Sequence, residues 1–277
     1  MAPTHLLLRL GELFLKGGNQ AVFLQALSRN IKIQVGSTPS RGVRGRLFLP
    51  GTSSPGALQQ VFGLVSSSPA VRVEARREDI QEAALRIVEG KTGLFRIRTQ
   101  RSDKRFPLTS PELNQQVGWF LEQKTALRYA PTAELLLEIE INTQGAFLFT
   151  ETFPGRGGLP VGVEGKVLLL LETKEAVLAG ILMMKRGCRI LPVARQEPQK
   201  EWIAQLQSYS PFILTTQIIS SLDELELVAR RKKARVLAVG ERWGEMQMQC
   251  SLLPVLRPLY CFSEQEILGL WEKYDKG

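Results

Sequence analysis

The stretch VLLLLETKEAVLAGILMMKRGCRILPV, residues 167–193, decides the fold class of the C-terminal part of the chain. Val167 to Leu171 is a continuous apolar run, the pattern of a parallel strand buried on both faces. A helix is expected from about Glu175 to Arg186, ended by Gly187. Cys188 to Val193 then reads as a second strand. Strand, helix and strand in succession indicate a β-α-β unit and a parallel sheet. Leu222 to Lys233 continues the alternation as a helix and Val236 to Val239 as a strand. Upstream, Gly155 to Gly162 (GRGGLPVG) has the composition of a linker.

The N-terminal part reads differently. Leu6 to Leu10 is a strand, Gly11 to Gly18 a turn-like stretch, and Phe23, Leu24, Leu27 and Ile31 lie at helical spacing. Arg46 to Leu49 is a further strand, closing an α+β unit near residue 57. The next unit is expected to open with a helical stretch over Leu58 to Leu64. A strand at Val71 to Glu74 and an amphipathic helix at Glu78 to Glu89 follow. Leu94 to Thr99 alternates as a strand with Arg96 and Arg98 facing outward. Thr109 or Ser110 caps the next helix, with Pro111 and Glu112 suited to its first turn. Strands at Leu135 to Asn142 and Ala146 to Thr150 complete the unit.

The 277 residues carry 36 Lys and Arg against 27 Asp and Glu, a net charge of +9. That balance favours an anionic partner such as nucleic acid. His5 is the single histidine, so a Ser-His-Asp triad or a histidine-rich zinc site is not expected. Cys188, Cys250 and Cys261 have no CxxC spacing. With no signal peptide and no apolar run long enough to span a bilayer, a cytoplasmic protein away from membranes is expected. Cys188 and Cys261 lie in apolar, strand-like surroundings and read as inert core thiols.

Several segments together resemble the tRNA sulfurtransferase family, the tRNA 4-thiouridine synthetases. They are LGELFLKG (Leu10 to Gly17), FRIRTQRSDKRFPLTSPEL (Phe95 to Leu113), FTETFPGRGGLPVGVEGK (Phe149 to Lys166), LMMKRG (Leu182 to Gly187), VGERWG (Val239 to Gly244) and LPVLRPLYCFSEQEI (Leu253 to Ile267). The resemblance covers nearly the whole chain. It implies a ferredoxin-like domain over residues 1–57, a THUMP RNA-binding domain over 58–162, and a PP-loop ATP pyrophosphatase-like α/β domain of Rossmann type over 163–277. It implies tRNA as partner, a homodimer, and a protein that hands over sulfur. Active members use ATP and Mg to activate a uridine, which a persulfide sulfur then replaces. Some also serve thiamine biosynthesis.

The departures from the family concern the chemistry. The family's PP-loop, SGGxDS, follows the first strand of its third domain. Here that position reads Glu172–Thr173–Lys174–Glu175–Ala176–Val177, without either glycine, the aspartate or the serines. Such loops hold pyrophosphate on backbone N–H groups at a helix N-terminus, with glycines allowing close approach. Glu172 and Glu175 place negative charge there, and Lys174 offsets only one of them. The interval from Gly187 to Val239 is short for the family. None of the three cysteines stands where the family's nucleophile belongs, and Met248 and Cys250 replace a serine and a threonine. No catalytic residue, metal site or cofactor is therefore expected, and the chain reads as a tRNA-binding relative rather than an enzyme. The alternative is a sulfurtransferase with an altered site, or one completed by a partner subunit carrying ATP-binding and cysteine groups.

The candidate RNA contacts are Arg96, Arg98, Arg101, Lys104 and Arg105, with Lys16 beside Gly17–Gly18 and Arg156 in the linker. Cations at this density can neutralise several phosphates. Against this stands the solvated strand edge that charge runs commonly form. Phe106 reads as core packing, Met183 and Met184 as core filler, Glu241 as a structural carboxylate and Arg257 as a structural ion-pair residue.

Overall fold

A computed structural model describes residues 2–11, 17–43, 45–245 and 253–274. In chain order the elements are β1 (His5–Leu10), α1 (Gln20–Val35), β2 (Ser40–Arg41), β3 (Arg46–Pro50), β4 (Leu64–Val73), α2 (Arg77–Ile87) and β5 (Gly93–Arg101). Next come α3 (Ser110–Lys124), β6 (Leu127–Tyr129), β7 (Leu135–Asn142), β8 (Gly145–Phe149) and β9 (Phe153–Pro154). The C-terminal part holds β10 (Lys166–Leu170), α4 (Lys174–Lys185), β11 (Arg189–Ala194), α5 (Lys200–Tyr209), β12 (Gln217–Ile218), α6 (Leu222–Lys232), β13 (Leu237–Ala238), β14 (Val255–Leu256) and α7 (Glu264–Tyr274).

The chain packs as two units that are not contiguous in sequence. The first comprises residues 1–10, 39–56 and 65–154; the second comprises 11–38, 57–64 and 155–277. The N-terminal helix α1 thus packs with the C-terminal part, where buried Asn30 donates to the Val161 carbonyl at 3.0 Å.

The first unit is built on a sheet ordered β2-β3-β1-β4-β8-β7-β5-β6, with β9 paired to β4. One face carries α2 and α3: Ile80, Ala84, Leu113, Val117 and Leu121 meet Phe95, Ile97, Leu137 and Ile139 in one buried cluster. Strand periodicity puts these apolar positions on the helix side and leaves the alternate ones to the other face. Thr109 caps α3 in a capping box, its hydroxyl accepting from Glu112 N while the Glu112 carboxylate accepts from Thr109 N. That box satisfies two N–H groups otherwise orphaned at a helix start.

The second unit holds the five-stranded parallel sheet β12-β11-β10-β13-β14. Val167, Leu169 and Leu171 pack with α4, α5 and α7, while Leu168 and Leu170 pack with α6. An apolar run buried on both faces is what such a sheet requires.

The expected helix over 58–64 is instead a short helical turn, Gly56–Gln60, followed by the start of β4 at Leu64. Leu58, Val61, Phe62 and Leu64 are all buried, so their spacing imitates a helix. Gly63, at φ +106°, turns the chain between the two elements, a conformation open to glycine.

Candidate functional site

The basic segment lies on β5 and the loop after it. Phe95 and Ile97 point into the core, and the alternate residues Arg96 and Arg98 occupy the opposite face. Parallel register sets Arg98 beside Glu138 and Gln100 beside Glu140 on β7. Arg98 Nε donates to Glu138 Oε1 at 3.0 Å, while the arginine side chain stays 66% exposed. Arg96 is half-buried, and its Nε has no hydrogen-bond partner. Arg101 builds the loop: its Nη1 donates to the carbonyls of Phe106 at 2.7 Å and Leu108 at 2.6 Å. Phe106 is anchored in the core.

Beyond that staple the loop presents charge. Arg105 donates from its backbone N, Nε and Nη2 to Asp103 at 3.0, 3.0 and 2.8 Å, yet remains 78% exposed. Those bonds lower the Asp103 carboxyl from the usual 3.8 to about 2. Lys104 is exposed. Arg98, Lys104 and Arg105 are solvent-facing cations, whereas Arg101 donates to the loop backbone. Lys16 lies outside the described residues. Arg156 belongs to the second unit, where its Nε donates to the Gln59 carbonyl at 3.2 Å and its guanidinium lies 5.3 Å from the Tyr274 ring centre.

Sequence reading missed a polar network on the same sheet face. Glu140 accepts from Arg9 Nε and Arg46 Nε, each at 2.9 Å, and Arg9 also donates to Ser68 at 2.9 Å. Alternation on β7 was a signal for Glu140, whereas β1 and β3 bury three consecutive residues and gave none for Arg9 or Arg46. Nothing local in the sequence paired them.

In the second unit the sheet order, read by chain position, is 3-2-1-4-5. Open parallel sheets of this kind bind ligands outside the carboxyl ends of the strands where the order reverses, here between β10 and β13. Thr173 caps α4, its hydroxyl accepting from Ala176 N at 3.3 Å. Glu172 accepts from Arg195 Nε at 2.6 Å and Arg195 N at 3.2 Å, and this bonding holds its carboxyl below the usual range. Lys174 Nζ sits 4.7 Å from the Trp271 ring centre. A Cβ on Gly240 would stand 2.4 Å from Ala176 N. A pyrophosphate needs those first-turn N–H groups free and faced by positive charge. Here Thr173 takes the Ala176 N–H, and Glu172 is a carboxylate paired to Arg195.

Around this position Glu241 accepts from Arg257 Nε at 2.8 Å; a structural role was expected of each, but not their pairing. Met183 and Met184 are buried in the core. Cys188 is buried, and burial pushes its thiol pKa up. Cys261 is exposed, which corrects its reading as a core thiol: it falls in the turn before α7 and not on a strand. Cys250 and Met248 lie outside the described residues. Among the described residues no group of three or more His, Cys, Asp or Glu is placed to hold a metal ion. No described helix is long and apolar enough to cross a membrane.

Comparison with known proteins places these features in a family. The chain is 31% identical over 322 positions to a probable tRNA sulfurtransferase of Moorella thermoacetica, covering 96% of this chain and 82% of the relative. The chain belongs to the tRNA sulfurtransferase family. A probable tRNA sulfurtransferase of Anoxybacillus flavithermus is 29% identical, covering 99% of this chain and 83% of that one. Residues 5–68 match the ThiI ferredoxin-like domain. Among solved structures, PH1313 from Pyrococcus horikoshii has a TM-score of 0.85 and 27% identity, covering 98% of this chain and 99% of that one. A 4-thiouridine synthetase–RNA complex with bound ATP has a TM-score of 0.82 and 23% identity, covering 99% of this chain and 87% of that chain, and shows a shared fold. The expected fold class stands: an α+β N-terminal part with a ferredoxin-like domain, followed by a Rossmann-like α/β part.

Proposed function

We propose that this family member binds tRNA and does not itself activate uridine with ATP. The observation that carries the second half is the closed α4 N-terminus, where Thr173 takes the Ala176 N–H and the Gly240 backbone lies against the same turn. Glu172 adds a carboxylate beside that turn, held by Arg195. The alignment to the Moorella relative supports it, since 322 positions exceed the 277 residues of this chain and the relative therefore carries internal segments absent here.

The RNA half rests on the β5 loop. Arg98, Lys104 and Arg105 are the contacts to phosphate, and Arg101 holds the loop in shape. The relatives' name, tRNA sulfurtransferase, and the RNA complex of the structural neighbour point to tRNA as the partner. On this reading residues 1–57, 58–162 and 163–277 are three inherited domains that pack as two units. The test is fluorescence-anisotropy binding of unmodified tRNA by wild type and by the Arg98→Gln, Lys104→Gln, Arg105→Gln triple variant. Binding by wild type with a clearly smaller salt slope in the variant is expected. Equal binding by both would remove the loop from the interface, and no binding by wild type would end the proposal.

A further inference from the structure

The amino-terminal edge of the parallel sheet, the end away from the closed loop position, collects cations from separate elements. Lys166 opens β10 and stands in register with Arg189, which opens β11. On the other side of β10, Arg235 N donates to the Lys166 carbonyl at 3.4 Å as the chain enters β13. Three adjacent strand starts therefore each carry a cation, with neighbouring strands about 4.8 Å apart. Lys166 Nζ donates to the Lys232 carbonyl at 3.1 Å, which draws the end of α6, with Lys232 and Lys233, into the same group. Arg29 of α1 joins through Phe212: the guanidinium carbons of Arg189 and Arg29 lie 4.3 and 5.5 Å from that ring's centre.

Ordinary structural needs account for part of this cluster. Cations in the last turn of α6 complement its dipole. That argument does not reach Lys166 and Arg189, which begin strands, or Arg235, which leads into β13. The ion pairs of this unit among the described residues are Arg195–Glu172, Arg242–Glu245, Arg242–Glu264 and Arg257–Glu241, and none of the six edge cations takes part. Arg189 Nε is buried without a hydrogen-bond partner, leaving the guanidinium stacked on Phe212 and not paired to an acid. Lys233 adds an independent sign. It is the one non-glycine residue with positive φ among the described residues, at φ 58°. Helices commonly end on glycine at such a position, and a lysine held there points to use of its charge.

We infer that this edge is a second contact surface for the phosphate backbone of RNA, formed by Lys166, Arg189, Lys233 and Arg235. Charge complementarity selects the partner: against one nearby carboxylate, Glu164, stand cations on adjacent strands that make no ion pair among the described residues, one of them a planar stacked guanidinium, and these suit a polyphosphate chain. The inference rests on the tRNA-binding reading above and adds a surface remote in sequence from the β5 loop.

The test compares tRNA binding across a salt series for wild type and the Lys166→Gln, Lys233→Gly, Arg235→Gln variant. Glutamine keeps a donor for the Lys232 carbonyl, and glycine relaxes the left-handed position, so the fold is preserved; thermal unfolding checks this. Each lost phosphate contact lowers the slope of log K against log salt by about 0.7–0.9, hence by about 2–3 in total. A fall of that size supports the surface. Unchanged binding by a folded variant overturns it and leaves the tRNA-binding reading intact, whereas no binding by wild type overturns both. Poly-L-glutamate is the second probe: if wild type binds it as tightly as tRNA, and the variant loses both, the edge is an acidic-protein surface and the RNA assignment fails.

Discussion

Gly240 lies against the first turn of α4 so closely that a Cβ on it would stand 2.4 Å from the Ala176 nitrogen. The nearest atoms are backbone, from Glu175 and Ala176, so no side-chain rotation can relieve the clash. Thr173 caps the same turn from within. Gly240→Ala is therefore expected to destabilise the protein by about 1–3 kcal/mol, the range for overpacking a filled site. Gly269→Ala in α7 is the control, since no atom lies within 4 Å of its Cβ position; it should gain about 0.5–1 kcal/mol through helix propensity. Urea unfolding midpoints check both. An unaffected Gly240→Ala protein would contradict this close approach.

Glu140 joins three strands. Its carboxylate accepts from Arg9 and Arg46, and its side chain is only 12% exposed. Glu140→Ala leaves two half-buried guanidinium groups facing each other without their shared acceptor. A loss of about 3 kcal/mol is expected, as for removing one partner of a buried pair. A loss under about 1 kcal/mol would place Glu140 among ordinary surface pairs.

Asp103 tests the geometry of the β5 loop through pH. Its folded-state pKa is depressed from 3.8 to about 2 by hydrogen bonds from Arg105. A depressed carboxylate contributes stability above its unfolded pKa, and that contribution is lost as pH falls through the folded value. The window is therefore about pH 4 down to about 2. Carboxyl-resolved NMR titration should place Asp103 near the lower figure in wild type and near the usual range in Arg105→Gln. A wild-type midpoint near 3.8 would contradict the pairing.

Arg101 and Arg105 should separate in their effects. Arg101→Gln removes donors from the Phe106 and Leu108 carbonyls, leaving acceptors unpaired at about 1–3 kcal/mol in stability. Arg105→Gln, at an exposed side chain, should lower stability less than Arg101→Gln does while lowering the salt slope of tRNA binding. The same unfolding and binding measurements on both variants decide it; equal losses of stability would contradict the division of roles.

The legible part of the fold is the part written in local pattern. Val167 to Leu171 and the helix ending at Gly187 could be read directly, because burial on both faces demands an unbroken apolar run. The Thr109 cap and its Glu112 partner were legible for a similar reason, being three residues apart. α5 and α7 were not identified: their buried faces are sparse, with Leu206 and Tyr209 in one and Ile267 and Tyr274 in the other. β12 and β14 each have two residues, too few to show a period, whereas the strand read at Val236 to Val239 is β13. The lost glycines and added carboxylates of the loop could be read from residues 172–177. What occupies the space could not, since Arg195 is 23 residues from Glu172 and Gly240 meets Ala176 only through the parallel sheet.

The measurement that bears most directly on the account is equilibrium binding of unmodified tRNA, titrated over salt, with and without ATP and Mg. Salt-sensitive binding with the same affinity and slope in both conditions is the predicted result. A change in affinity on adding nucleotide, or a thermal shift with ATP alone, would contradict the closed α4 N-terminus and return the chain to the active enzymes of its family.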